Sequence, residues 1–121
     1  MAFLRAPYVW GGKSVFGIDC SGFVQQVMGV CGVQMPRDAW QQVAIGEEVH
    51  FATLAQPGDL AYFENAEGRI IHVGILLENQ QIIHAHGEVR IDYLDHYGIY
   101  NQQRKRYSHR LRLIKRVLPG L

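Results

Sequence analysis

Two cysteines and six histidines are the side chains of this sequence best suited to nucleophilic and acid–base chemistry near neutral pH. The two cysteines differ in placement. Cys20 sits in Asp19-Cys20-Ser21-Gly22-Phe23, at the predicted start of a helix. Exposed N–H groups and the positive end of the helix dipole favour thiolate, the nucleophilic form, at such a position. Cys31 sits at the far end of the same helix, where the dipole opposes thiolate. A cysteine taken at random is more often a small core residue than a nucleophile. The helix-start position and the glycine-rich approach weigh against that reading for Cys20.

A cysteine nucleophile needs a base, and the base needs an orienting group. His72, in Ile70-Ile71-His72-Val73-Gly74-Ile75, and His84, in Ile82-Ile83-His84-Ala85, each interrupt an apolar run. A polar ring in such a run must find a partner or face a cleft. If the two runs form a hairpin, the rings share a face only when paired residue numbers sum to an even number, because side chains alternate. An odd, bulged connection is therefore expected around 78–81. His86 falls on the same face as His84, and parity does not separate them. His50, His96 and His109 lie in polar or ambiguous segments and read as solvated surface. A zinc site built from Cys20, His72 and His84 is the metal alternative. It lacks a close-spaced ligand pair, so neither a metal nor another cofactor is expected.

The elements that must hold these residues are partly legible. The spacing of Phe23, Val27 and Val30 predicts a helix over 21–30, begun at Cys20 or Ser21, capped by Asp19 and stopped at Cys31-Gly32. Eleven residues of helix rise about 16 Å, whereas disulfide partners need Cα atoms within roughly 7 Å. Cys20 and Cys31 are therefore not expected to be bonded to each other, and two free thiols fit a reducing compartment. Pro36-Arg37-Asp38 opens a second short helix over 39–44, capped by Asp38 and stopped at Gly46. Residues 7–12 read as an extended piece ending in a turn, and 13–18 as a loop. A turn at 56–59 leads into a strand at 60–63, and a polar turn at 65–68 into a buried strand at 70–77. Strands at 82–85 and 89–92 follow. Residues 49–55 are ambiguous, 93–107 read as irregular, and 111–118 suit a final strand with its basic residues outward. Helices first and strands later is the α+β pattern.

Bulk properties narrow the class. A chain of 121 residues is the size of one small domain. With 48% hydrophobic and 19% charged residues it can build a packed core. Twelve basic residues against eleven acidic ones give a formal charge of +1, so no global attraction to nucleic acid or anionic lipid is expected. The apolar runs fall well short of the roughly 18–20 residues that span a bilayer. Residues 1–8 do not read as a secretory signal peptide.

Five motifs occur in order: Pro7-Tyr8-Val9-Trp10-Gly11-Gly12, Asp19-Cys20-Ser21-Gly22-Phe23, Pro57-Gly58-Asp59-Leu60, His72-Val73-Gly74-Ile75 and Ile83-His84-Ala85. Together they resemble the NlpC-type family of bacterial cell-wall cysteine peptidases, of the papain-like group, from Pro7 to about Asp92. The resemblance implies a papain-like fold with the nucleophile at the start of a helix packed on an antiparallel β-sheet. It implies Cys20 as nucleophile, His72 as general base, His84 as the residue orienting His72, and Tyr8 helping to hold the oxyanion with the Cys20 N–H. Gly68-Arg69-Ile70-Ile71-His72 and Val89-Arg90-Ile91-Asp92 look most like the γ-D-glutamyl-diamino acid endopeptidase, or dipeptidyl-peptidase VI, branch. In that branch Asp19 and Ser21 bind the substrate amine, and Asp38 helps line the same pocket. Two residues depart from the pattern: Ala39 stands where serine usually follows Asp38, and His86 where serine commonly follows Ile-His-Ala.

The expectation is a cysteine peptidase, residues 1–121 forming a single NlpC-type catalytic domain without the N-terminal accessory barrel domains of its relatives. Its substrates would be small peptidoglycan stem peptides, cut at the γ-D-glutamyl–diamino acid amide through a thioester acyl-enzyme. No nucleic acid and no membrane span is expected, and accessory barrel domains of a longer parent chain are possible partners. Two other readings share the fold: a papain-like amidase or acyltransferase, and a muropeptide-binding module without activity.

Overall fold

The computed structural model describes residues 19–50, 54–86 and 88–118 of the protein. Tyr8 and the motif at 7–12 lie outside the described residues. Helix α1 (Cys20–Val30) begins where the sequence predicts. Asp19 is extended and its carboxylate accepts from the Gly22 N–H at 2.7 Å, satisfying one of the donors orphaned at a helix start. Phe23, Val24 and Met28 are buried against strands β3 (Ile70–Leu76) and β4 (Gln81–His86). Val30 has nearly the same azimuth as Phe23 at 100° per residue, yet it is exposed. The last turn of the helix thus projects past the surface on which the helix packs.

Helix α2 (Ala39–Gln42) is shorter than the predicted 39–44. After it the bonds tighten, Ala44 N–H donating to the Gln41 carbonyl and Ile45 N–H to that of Gln42, the i to i+3 pattern that ends a helix. The buried Gln42 amide donates to the carbonyls of Ser21 (3.0 Å) and Pro36 (2.9 Å), tying α2 to the start of α1.

All strand pairings are antiparallel. The remaining strands are β1 (Glu47–Val49), β2 (Leu60–Glu64), β5 (Glu88–Leu94), β6 (Gly98–Asn101) and β7 (Arg106–Arg116). Their order is β1-β7-β2-β3-β4-β5-β6, and β6 pairs again with β7. Six strands therefore close into a barrel, and β1 extends the far end of β7. The antiparallel sheet is as expected; its closure into a barrel-like body with few helices is not. Along β2, Leu60 and Tyr62 face the helices, while Ala61 and Phe63 face inward with Leu76, Ile82, Leu94, Ile99 and Ile114. Both faces are covered, which is why β2 reads as a continuous apolar run.

The segment read as irregular holds strand β6, the end of β5 and the start of β7. Its polar residues hide the alternation, and a glycine makes the pairing possible. A Cβ on Gly98 would lie 1.7 Å from the His109 carbonyl oxygen, so only glycine lets β6 approach β7 this closely. The basic residues of β7 are only partly outward: Arg116 reaches in and donates two 2.9 Å hydrogen bonds to buried Asp59. Asp59 also accepts from the Gln56 N–H, which closes the turn of the Pro57-Gly58-Asp59 motif.

Candidate active site

Strands β3 and β4 set the site by their register. Gly74 pairs with His84, so paired numbers sum to an even value and His72 and His84 face the same side. The connection has the expected odd length: the Leu77 N–H donates to the Gln81 carbonyl, leaving three residues between them, with positive φ at Asn79 and Gln80. Gly74 lies between the two histidines in this pairing. A Cβ there would meet His84 Cβ at 3.0 Å and Ile82 at 2.6 Å.

The two imidazoles form a buried chain. His72 Nε2 lies 2.8 Å from His84 Nδ1, and His84 Nε2 lies 2.8 Å from Asp92 Oδ2 on β5. Arg90 closes the chain with Nε 2.8 Å from Asp92 Oδ2 and Nη2 3.0 Å from Oδ1. Burial pushes the Asp92 carboxyl up, but the hydrogen bonds and charges of His84 and Arg90 outweigh it and hold the carboxyl below its usual range. The ionised carboxylate only accepts. A neutral His84 then carries its proton on Nε2 and accepts on Nδ1, so His72 donates from Nε2 and keeps its basic lone pair on Nδ1. This tautomer assignment follows from the partners.

Cys20 lies against the backbone on either side of His72. Strand β4 pairs with β3 only over 74–76, so residues 70–73 of β3 have no β4 partner. The Cys20 sulfur sits against that stretch, with the Ile71 carbonyl 4.0 Å away and the Val73 backbone also within reach. Its surroundings do not match the expected thiolate. Burial, and to a lesser extent the charge of Asp19, push the thiol up, while hydrogen bonds from the backbone of Val73, Ser21 and Cys20 pull it down without offsetting this.

Asp19 and Ser21 lie together and already hold a cation. Arg37 forks onto both oxygens of Asp19 at 3.1 and 3.0 Å and donates to the Ser21 hydroxyl at 3.1 Å. Burial raises the Asp19 carboxyl, and Arg37 with the Gly22 and Ser21 bonds lowers it further than that. Asp38 is exposed next to Arg37, and its N–H donates to the Gln41 side chain at 3.3 Å. The His86 side chain and Tyr8 fall outside the description.

Sequence reasoning assigns no site role to three residues of this cluster. Arg90 and Asp92 enter it only as part of a strand and of a branch motif, although the even spacing of 84 and 92 across a hairpin gives Asp92 the parity of His84. His109 was assigned to solvated surface. It is half-buried, and its ring stacks on that of His72 at a centroid distance of 4.0 Å. Among the described residues no group of three His, Cys, Asp or Glu side chains is arranged to hold a metal ion.

The sequence profile of the NlpC/P60 family matches residues 5–110. The chain belongs to the NlpC/P60 family. It is 40% identical over 85 residues to a gamma-D-glutamyl-L-lysine dipeptidyl-peptidase of Bacillus subtilis (strain 168), covering 69% of this chain and 28% of that protein. It is 43% identical over 81 residues to the probable endopeptidase NlpC of Escherichia coli (strain K12), covering 65% and 52%. The crystal structure of an NlpC/P60 family protein from Bacillus cereus ATCC 10987 superposes with a TM-score of 0.71 at 32% identity, over 97% of this chain and 37% of the other. The chain thus spans about half or less of the length of these NlpC/P60 relatives.

Proposed function

We propose that the chain is the catalytic domain of a papain-like cysteine peptidase that hydrolyses the γ-D-glutamyl–diamino acid amide of peptidoglycan-derived peptides. The observation that carries this reading is the chain His72–His84–Asp92, with the Cys20 sulfur against the backbone on either side of His72, in a member of a family whose named relatives include peptidases. Cys20 is the nucleophile and His72 the general base. Because its surroundings favour the neutral thiol, Cys20 gives its proton to His72 as the Sγ–C bond forms. His84 takes the Nε2 proton of His72 in a hydrogen bond, and ionised Asp92 stabilises the imidazolium through His84. The Cys20 N–H and Tyr8 hold the oxyanion. Collapse breaks the C–N bond, and the proton on His72 leaves with the amine. Water then attacks the thioester, giving its proton to His72, and the γ-carboxylate and thiol are regenerated.

Asp19, Ser21 and Asp38 form the amine subsite in this reading. A substrate ammonium shares Asp19 with Arg37, a pair that is about half exposed on both sides and so accessible. Incubating the protein with L-Ala-γ-D-Glu-diaminopimelate and resolving products by mass spectrometry tests the reading. Cleavage at the γ-glutamyl amide is expected, lost in Cys20→Ala with the fold intact and slower when the substrate N-terminus is blocked. Retained turnover in Cys20→Ala overturns it. The raised thiol favours a second reading, a peptide-binding module without turnover; binding with no product from the wild type would establish that one.

A further inference from the structure

One end of the barrel opens into a cavity of about 340 Å³ whose wall includes the buried end of the histidine chain. Arg90, Arg104 and Arg106 line it, together with Asp92 and His109. The charges do not balance. Asp92 already receives His84 and Arg90, while the guanidinium groups of Arg104 and Arg106 have no ion pair among the described residues. The turn that carries them is fixed: buried Asn101 accepts from the Arg104 N–H at 3.1 Å, and Asn101 pairs with Arg106 across β6 and β7. Placement by a pinned turn reduces the ordering cost of binding an anion. The cavity is also next to the chemistry, since His109 in its wall stacks on the ring of His72.

We propose that Arg104 and Arg106, with Arg90 behind them, form a subsite for a free carboxylate of the peptide substrate. The proposal rests on the peptidase reading above. Guanidinium forks match carboxylates in shape and charge, and the substrate class supplies them close to the scissile bond. Glutamate joined through its γ-carboxyl keeps its α-carboxylate free, four bonds from the reacting carbonyl. A terminal diamino acid keeps its own α-carboxylate two bonds from the departing nitrogen. Either would make the site select γ-glutamyl peptides of this kind over ordinary peptides.

The test compares three tripeptides: the free acid, the analogue with a glutamyl α-carboxamide, and the analogue with a diamino acid α-carboxamide. Arg104 sits on an exposed turn and Arg106 is the exposed first residue of β7, so Arg104→Gln and Arg106→Gln leave the Arg90–Asp92 pair in place; circular dichroism checks the fold. Each is expected to raise KM for the free acid about tenfold, the size of one charge-assisted hydrogen bond, with kcat little changed. Each is also expected to lose wild-type discrimination against one of the two carboxamides, which identifies the carboxylate. Calorimetric titration of the same peptides into Cys20→Ala protein, with and without the arginine substitutions, reads binding apart from turnover. Variants that match the wild type on all three peptides in both assays overturn the subsite and leave the peptidase reading standing. A wild type that neither cleaves nor binds any of them overturns both.

Discussion

Replacing Asp92 with asparagine tests the chain of imidazoles most directly. The carboxylate faces two donors, His84 Nε2 at 2.8 Å on Oδ2 and Arg90 Nη2 at 3.0 Å on Oδ1, with Arg90 Nε in ion-pair contact 2.8 Å from Oδ2. An amide must turn its NH2 toward one side. If it occupies the Oδ2 position, His84 has to accept there and carry its proton on Nδ1. That proton then faces His72 Nε2, and His72 must hold its own proton on Nδ1, where the base is needed. If the NH2 occupies the Oδ1 position, the His84 tautomer survives, but two donors meet at Arg90. Either way the negative charge behind His84 is lost. Hydrogen bonds to a charged group are worth about 1.5–3 kcal/mol, and about 1.4 kcal/mol is tenfold in rate. We therefore expect Asp92→Asn to lower kcat by about ten- to a hundredfold. KM should stay level or fall, because the substitution removes the one carboxylate that lines the cavity among the described residues. Steady-state cleavage of the tripeptide gives both constants, and nitrogen-15 shifts of the imidazoles report the tautomers. A kcat within threefold of wild type, with both histidine tautomers unchanged, would refute the relay.

Three further expectations follow from named groups. The Cys20 thiol is held above its ordinary range by burial and by Asp19, so iodoacetamide alkylation should keep climbing beyond the roughly 8.5 of a free thiol; a rate plateau at or below neutral pH would refute this. Asp19 and Asp92 are both held below the usual carboxylate range. Their contribution to stability is complete above the unfolded value of about 3.9 and is lost as pH falls through the lower folded values. The melting temperature should drop on acidification below about pH 4, and Asp92→Asn should flatten that drop; an unchanged acid limb counts against the linkage. Gly74→Ala places a methyl against Ile82 and the Cβ of His84, so it should lower kcat by displacing His84, which a wild-type rate would contradict.

Local chemistry made half of the site readable. Asp19 before Cys20 announces a capped helix start because a short polar side chain satisfies the exposed donors wherever it occurs. The runs around His72 and His84 announce strands, and parity alone required their rings to share a face once the connection was odd. Propensity overextends the helix at 39–44 because it does not see Gln42 buried against Ser21 and Pro36.

Motif order and spacing determined family membership, the helix bearing Cys20 and the strands bearing the two histidines. Tertiary structure decided what completes them. Asp92 and Arg90 come from the next strand over, and His109 from the last one, which reaches His72 only because β6 pairs with β7 and closes the barrel. Whether a polar side chain such as His109 faces water or the interior depends on that closure, a long-range pairing that no local spacing encodes. The same holds for the Cys20 thiol and for Asp19. Helix position favours thiolate and a free carboxylate, but the burial around Cys20 and the Arg37 fork, set by distant segments, outweigh the local preference.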